Sequence, residues 1–422
     1  MSRDFTSRVT PTRRAYLKRG GALFAGGLLA GCAGQNDADS STDAADAADA
    51  TATTTTTEAA SDAETAADGD SAGYTVSMSP AGDVTFESVP ERVMVYNLVY
   101  ADAAVAFGHG DAVNSLGFDS DAGGRTLDAY YERLDGVSFD RSDLAQLNSG
   151  SGSVDIDKEV VYELDSDLHL VDPALVASFD GWDRSDVEEI REQVAPWFGN
   201  AYSRAHARPP EPYADDYEYY TLWEIVEKVG QVFREADRFA ALHSVRDDLL
   251  STIQSELPPE SERPTVGVVI YMDETFYPTK IDAPGFATSH IRPLGVTDAF
   301  AAGDVTFETS YDFETMLEID PDVLLHSYGI DSYYDVASIR QSLEDHPVGS
   351  ELSAVRNDRV FPSGTPVQGP IMNLFQTEMT AKQLYPDRFG AWPEYAGGAY
   401  PEIPEDEQLF DRDRVADIVT GD

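Results

Sequence analysis

Residues 161–173 read VYELDSDLHLVDP, and residues 316–328 read MLEIDPDVLLHSY. Glu163, Asp165 and Asp167 of the first stretch align with Glu318, Asp320 and Asp322 of the second, each 155 residues later. Both stretches read as the end of a helix, a tight acidic turn and an apolar run short enough for a buried strand. Each is followed by an aromatic loop and another helical pattern. A helix–turn–strand unit recurring in this way predicts two lobes with the same α/β wiring, their parallel strands covered by helices.

The flanking sequence extends that pattern. Val84–Phe86 and Arg92–Tyr96 read as a strand pair with a turn near Pro90. The stretch from Tyr100 reads as a helix stopped by Gly108 and Gly110, and Ser115–Phe118 as the next strand. Between the lobes, apolar residues recur at helical spacing from Leu222 through Ile253, and Pro258 with Pro259 ends the run. Gly230 marks an expected kink, so the rigid part should begin near Ala236. A helix joining two lobes resists bending, which makes large closure motions unfavourable. The expected division is an N-terminal lobe over 74–221, a spine helix over 222–258, a C-terminal lobe over 259–390 and a closing tail over 391–422.

The N-terminal 73 residues belong to neither lobe. Arg13-Arg14 followed by Ala15-Tyr16-Leu17-Lys18 resembles a twin-arginine export motif. The apolar and glycine run Gly20–Gly31 is too short to span a bilayer. Leu29-Ala30-Gly31-Cys32 resembles a lipobox, which would make the chain's only cysteine a lipid attachment point rather than a thiol or half of a disulfide. Residues 1–32 therefore read as a twin-arginine lipoprotein signal. Residues 33–73, built from Ala, Thr, Asp, Ser, Glu and Gly, read as a disordered acidic linker. The expected location is the outer face of the cell membrane, held there through the lipid alone.

Acidic residues number 77 against 29 basic, a formal net charge of −48. Such repulsion argues against a nucleic-acid partner, whose phosphates need clustered Lys and Arg. The excess is spread along the chain, as expected of a surface solvated in high salt, where the charges are screened. With twin-arginine export this suggests a haloarchaeon.

In this context the sequence resembles a class III solute-binding protein of an ABC importer, from the branch that handles ferric siderophores, haem and cobalamin. The resemblance covers about residues 80–390. It rests on VPERVMVYN with ADAAVAFGHGDAVNSLGF near the start, on DKEVVYELDSDLHLVDP and DFETMLEIDPDVLLHSY, on HPVGSELSAVRNDRVFPSG, and on GPIMNLFQTEMTAKQLYPDRFG at the close. The resemblance implies two Rossmann-like lobes with parallel sheets joined by a single long spine helix. It implies a ligand trapped in the cleft, a permease and its ATPase as partners, a monomer, and no enzymatic chemistry or cofactor. It further implies acidic docking residues on each lobe tip. Glu188 lies closest to the family position in the first lobe. Asp331 and Asp335 stand in the second, where a glutamate is more usual.

Ligands of such folds bind outside the C-terminal ends of the strands. Those loops are rich in aromatics and poor in charge. The expected lining is Tyr100, Arg125, Tyr130 and Trp182 from the first lobe, with Tyr271, Tyr277, Arg292, Tyr328, Tyr333 and Gln368 from the second. Aromatic walls with one or two arginines suit a ferric siderophore, the hydroxamate type being favoured over a tris-catecholate. Cobalamin or haem remains open as the ligand. A bare metal ion would need His290 and His326 with further ligands that the sequence does not assemble. His169 reads as a core histidine. An anchored enzyme is disfavoured: no Gly-x-Ser-x-Gly, P-loop or His-Glu-x-x-His motif occurs.

Overall fold

The computed structural model describes residues 73–117, 120–148, 155–306, 308–330, 334–395 and 397–422. Cys32, the signal, the linker up to residue 72, and the expected site residues Asp331 and Tyr333 lie outside them.

The first strands form a hairpin, β1 (Tyr74–Met78) antiparallel to β2 (Gly82–Phe86), with Val76 opposite Val84. This corrects the sequence reading, which paired Val84–Phe86 with Arg92–Tyr96. The hairpin buries alternate residues on one face, whereas β3 (Val93–Val95) is buried throughout, as a central parallel strand must be. Helix α1 (Leu98–Ala106) is apolar apart from Asp102 and the Tyr100 hydroxyl, and entirely buried. It stops just before Gly108, whose φ of 76° lets the chain turn away. Next come β4 (Ser115–Leu116), α2 (Ser120–Tyr131), β5 (Ala145–Gln146), α3 (Lys158–Leu164), β6 (Leu168–Leu170) and α4 (Arg184–Gln193). β3 pairs parallel with β6, and β4 with β5. Bridges Val93–Val113 and His169–Trp197 extend this sheet at both sides.

The spine follows as two helices, α5 (Leu222–Val232) and α6 (Ala236–Glu256). Gly230 does not break the helix. A Cβ there would stand 3.1 Å from the Phe107 ring, so this glycine permits close packing against the first lobe. The break falls at Arg234, whose φ of 59° is left-handed. The rigid segment still begins at Ala236.

The second lobe contains β7 (Thr265–Met272), β8 (Thr275–Thr279), β9 (Thr297–Asp298), α7 (Phe313–Ile319), β10 (Val323–His326), α8 (Val336–Asp345), β11 (Val360–Pro362) and α9 (Pro370–Leu384). Its sheet runs β11-β10-β7, with parallel β9 on the first half of β7 and antiparallel β8 on the second. The parallel order β9-β7-β10-β11 repeats the order β4-β3-β6-Trp197 of the first lobe. The duplication extends to single residues. Asp157 and Asp312 cap α3 and α7 by accepting from Glu159 N and Thr315 N, and Asp165 and Asp320 end those helices at φ 45° and 44°.

Strand alternation divides the core. In β3, Met94 and the following Tyr96 face an outer cluster with Val171 and Trp197, while Val93 and Val95 face the spine. In β7, Val269 and Tyr271 face an outer cluster with Phe313 and Leu324, while Val266 and Val268 face the spine. Each lobe thus keeps a private apolar layer. The spine-side layer is continuous from lobe to lobe through α1, α5, α6 and α9. The tail closes on this layer through helix α10 (Arg412–Thr420). Arg412 donates to the fully buried Glu378 of α9 at 2.7 Å, beneath the rings of Phe375, Tyr400 and Phe410.

Candidate ligand-binding cleft

Parallel strands end with their side chains and carbonyls directed at whatever covers the sheet edge, so strand ends are where a site is built. In the second lobe, β10 runs into Ser327 and Tyr328, and β11 into Ser363 and Gly364. The even-numbered residues Val268, Ile270 and Met272 of β7 floor the space between them. With Arg204–Ala207 from the first lobe these residues enclose a cavity of ≈ 520 Å³. Its size falls within the usual range of small-molecule sites, roughly 300–1,000 Å³. The two lobes are stitched here, because Ala287 N donates to Arg204 O at 2.9 Å. Gly285, at φ 100°, lies against the same carbonyl, where a side chain would not fit.

The cavity walls are apolar and aromatic, with Tyr277, Tyr328 and Tyr334 among them. Arg204 is the guanidinium that reaches this space. Burial pulls it below its ordinary pKa, and the Tyr328 hydroxyl hydrogen-bonded to it pulls the other way. It remains charged, since no shift of ordinary size neutralises a guanidinium. Lys280 also borders the cavity, but its ammonium is held by the carbonyls of Ala301 and Gly303 at 2.9 and 3.0 Å.

Two buried histidines lie near the strand ends, and both are neutral. Burial, with help from the Arg292 charge, pushes His290 down to about 3. Burial pushes His326 down to about 4. His326 Nε2 accepts from Tyr271 N at 3.0 Å, so Nδ1 carries the proton and donates to Ser327 O at 2.8 Å. His290 Nδ1 stands 3.0 Å from Gln368 Nε2, and its Nε2 3.3 Å from Ser363 Oγ. All four ring nitrogens are therefore occupied by protein partners. No group of three or more metal-ligating side chains is found among the described residues.

The residues expected at the site divide into three groups. Tyr277 and Tyr328 line the cavity, and Gln368 lies behind it, fully buried and bonded to His290. Four aromatics are core residues instead. The Tyr100 hydroxyl accepts from Asn200 N at 2.6 Å, and Tyr130 packs under Phe375 and Tyr400. Trp182 donates to Ile156 O at 2.7 Å within the first lobe's outer cluster, and Tyr271 stands on the far face of β7 against Phe276 and Phe313. Arg125 is exposed on α2 and borders neither cavity described here. Arg292 points to a separate cavity of ≈ 570 Å³ beside the spine, lined also by Trp223, Phe239 and Arg246. It donates to Ala283 O at 2.7 Å and to Gly285 O at 2.5 Å. Of the acidic tip residues, Glu188 is half-exposed and paired with Arg184 at 2.9 Å, while Asp335 caps α8 through Ser338 N. The reading of the sequence missed Arg204 and Ser363. Arg204 sits in an irregular connection without a motif, and nothing in its neighbours marks it. His169 is in the core against Trp197, its ring neutral.

No protein-family model matches the sequence, and no curated protein matches it. Solved structures do match. A periplasmic binding protein from Veillonella parvula aligns with a TM-score of 0.52 at 13% identity, covering 75% of this chain and 98% of its own. A periplasmic solute binding protein from Mycobacterium smegmatis aligns at 0.52 and 16% identity, covering 74% and 97%. The iron uptake ABC transporter substrate-binding protein PiuA from Streptococcus pneumoniae aligns at 0.50 and 17% identity, covering 72% and 96%. These likenesses establish the fold: two lobes of mixed α/β structure with parallel sheets, as in the periplasmic binding proteins.

Proposed function

We propose that this chain, built on the two-lobed fold of periplasmic binding proteins, is the extracytoplasmic solute-binding component of an ABC importer and captures a ferric siderophore of the hydroxamate type. The observation that carries the reading is the cavity at the strand ends, where one charged guanidinium, Arg204, meets the aromatic walls of Tyr277, Tyr328 and Tyr334. A ferric trihydroxamate has a neutral iron core edged by carbonyl-type oxygens, with a flexible apolar rim. One cation with hydrogen-bond donors and aromatic surface matches it. A tris-catecholate, with its concentrated negative charge, would need several free cations, and the Lys280 ammonium is already bound to carbonyls.

On this reading the ligand is held and released unchanged. The charges of Arg204 and the neutral rings of His290 and His326 do not change between pH 5.5 and 8, so capture is insensitive to pH there. The continuous spine-side core restricts closure to small movements of the strand-end loops. Export through the twin-arginine route, anchoring through Cys32 and docking to a permease through Glu188, Asp331 and Asp335 belong to the same proposal.

The test is calorimetric titration of the mature chain with ferrioxamine B in molar KCl, with haemin and cyanocobalamin in parallel, followed by mass analysis of recovered ligand. One-to-one binding of ferrioxamine B, released intact, is expected. Binding of haemin or cyanocobalamin alone would move the ligand class, and chemical conversion of any of them would overturn the carrier reading.

A further inference from the structure

A buried chain of hydrogen bonds runs from Trp223, on the spine helix α5, to Ser363 in the cleft cavity. Trp223 Nε1 bonds Asn373 Oδ1 at 3.1 Å, and Asn373 Nδ2 bonds Gln368 Oε1 at 2.8 Å. Gln368 Nε2 bonds His290 Nδ1 at 3.0 Å, and His290 Nε2 bonds Ser363 Oγ at 3.3 Å. Except for His290 and Ser363, each side chain belongs to the spine or to the approach and first turns of α9. Gln368, His290, Asn373 and Ser363 are at most 5% exposed.

The direction of every bond in this chain follows from its ends. An indole N–H can only donate, so the Asn373 atom facing it is the carbonyl oxygen, and its amide nitrogen faces Gln368. Gln368 is oriented a second time, because the same Nε2 lies 3.3 and 3.2 Å from the carbonyl oxygens of Phe286 and Ala287, which can only accept. His290 Nδ1 therefore accepts. In a neutral imidazole the proton then sits on Nε2, which donates to Ser363 Oγ.

We infer that this relay fixes His290 in its Nε2–H tautomer and so makes Ser363 a hydrogen-bond donor to the ligand, a specificity-determining residue that favours an acceptor oxygen. Ser363 Oγ accepts from His290 on one lone pair, and among the described residues its own hydrogen has no partner within the protein. Together with Arg204, the polar end of the cavity offers donors. Hydroxamate, carboxylate or carbonyl oxygens turned toward that end are favoured, because they pair with the Ser363 hydrogen and the Arg204 guanidinium, whereas an ammonium or amide N–H turned toward it would leave both unpaired. Trp223, Asn373 and Gln368 are positioning residues. This inference rests on the cavity being the binding site, as proposed above.

Two measurements decide it. In chain labelled with 15N-histidine and without ligand, long-range 1H–15N correlation reads the His290 tautomer, its signal identified by loss in His290→Gln. Protonated Nε2 and bare Nδ1 are expected, and Gln368→Leu, which removes the donor facing Nδ1, should convert the signal to a mixture of tautomers. Protonated Nδ1 in the unaltered chain, or no change in Gln368→Leu, would overturn the relay. Titration with ferrioxamine B then reads the donor. Ser363→Ala should lose about tenfold in affinity, and Ser363→Thr, which keeps the hydroxyl, should stay within about threefold. Equal affinity for Ser363→Ala and the unaltered chain would overturn the donor role. Should ferrioxamine B fail to bind even the unaltered chain, the ligand reading falls, while the tautomer still decides the relay.

Discussion

Asp167 and Asp322, 155 residues apart, perform the same task in the two lobes: each carboxylate accepts the backbone amide at the start of the neighbouring parallel strand. Asp167 Oδ2 takes Arg92 N at 2.9 Å, just before β3, and Asp322 Oδ2 takes Thr265 N at 2.8 Å, the first residue of β7. Each side chain closes the lower end of its sheet, opposite the cleft, where a strand would otherwise fray. The pair explains why both stretches carry an aspartate two residues after the left-handed turn residue that ends the helix.

The turn residues just before them should separate by context. Asp165 and Asp320 both occupy left-handed backbone, which glycine adopts without strain. Asp320 also accepts Ser353 N and Oγ, each at 2.7 Å, whereas the Asp165 side chain, among the described residues, holds only the exposed Arg92. Asp165→Gly should change stability by less than about 1 kcal/mol. Asp320→Gly should cost about 1–3 kcal/mol. Chemical denaturation in molar KCl measures both, and equal effects would count against the assignment.

Breaking the buried pair at the tail should cost more than removing it. Arg412→Met leaves Glu378 enclosed without its ionic partner, a loss of about 3–5 kcal/mol. Adding Glu378→Met should recover most of that loss. If the double variant is no more stable than Arg412→Met, the pair is not what makes the site sensitive.

Arg204 and Arg292 make opposite predictions for binding. Arg204→Gln removes the guanidinium at the cavity and should weaken ferrioxamine B by about tenfold or more. Arg292→Gln lies outside it, with two nitrogens already on carbonyls, and should change affinity by less than about threefold. Titration calorimetry ranks the two, and the reverse order would place the ligand beside the spine.

Stability against pH contains two opposed contributions. Burial holds His169 near 4, and likewise depresses His290 and His326. As pH falls below about 6.5 the unfolded chain takes up protons that these folded rings refuse, so stability is lost. Burial raises Asp102 to about 7 and Asp172 to about 6, against the hydrogen bonds they accept. The folded chain then keeps those protons as pH rises from about 4, and their contribution to stability declines over that window. His169→Phe should shrink the loss of Tm between pH 7 and pH 5. Asp102→Asn should enlarge it. Thermal unfolding at constant molar KCl reads both signs, and unchanged slopes would contradict the burial argument.

The duplicated wiring was legible because it is written in local chemistry: an aspartate cap, an acidic left-handed turn and an apolar run, each recognisable alone. The facing of side chains was not. Tyr271 and Tyr277 both follow from an aromatic-rich strand pair, yet Tyr271 is on the odd-numbered face of β7, turned into the second lobe's core, and Tyr277 borders the cavity. Only the register of the sheet decides between them, and composition carries no register. Gly230 misled for a related reason, since its lack of a side chain serves a neighbour, Phe107, that is distant in sequence. Arg204 was hidden because its role comes from a contact between lobes, Ala287 N to Arg204 O, that no local pattern encodes.

The central claim, that the strand-end cavity between the lobes holds an intact iron chelate, is tested most directly by locating the metal. Crystals of the mature chain grown in molar KCl with ferrioxamine B should give one iron anomalous peak in the cavity bounded by Arg204, Tyr277 and Ser363. A sole peak in the cavity beside Trp223, or iron bound to surface carboxylates without its chelator, would contradict the account.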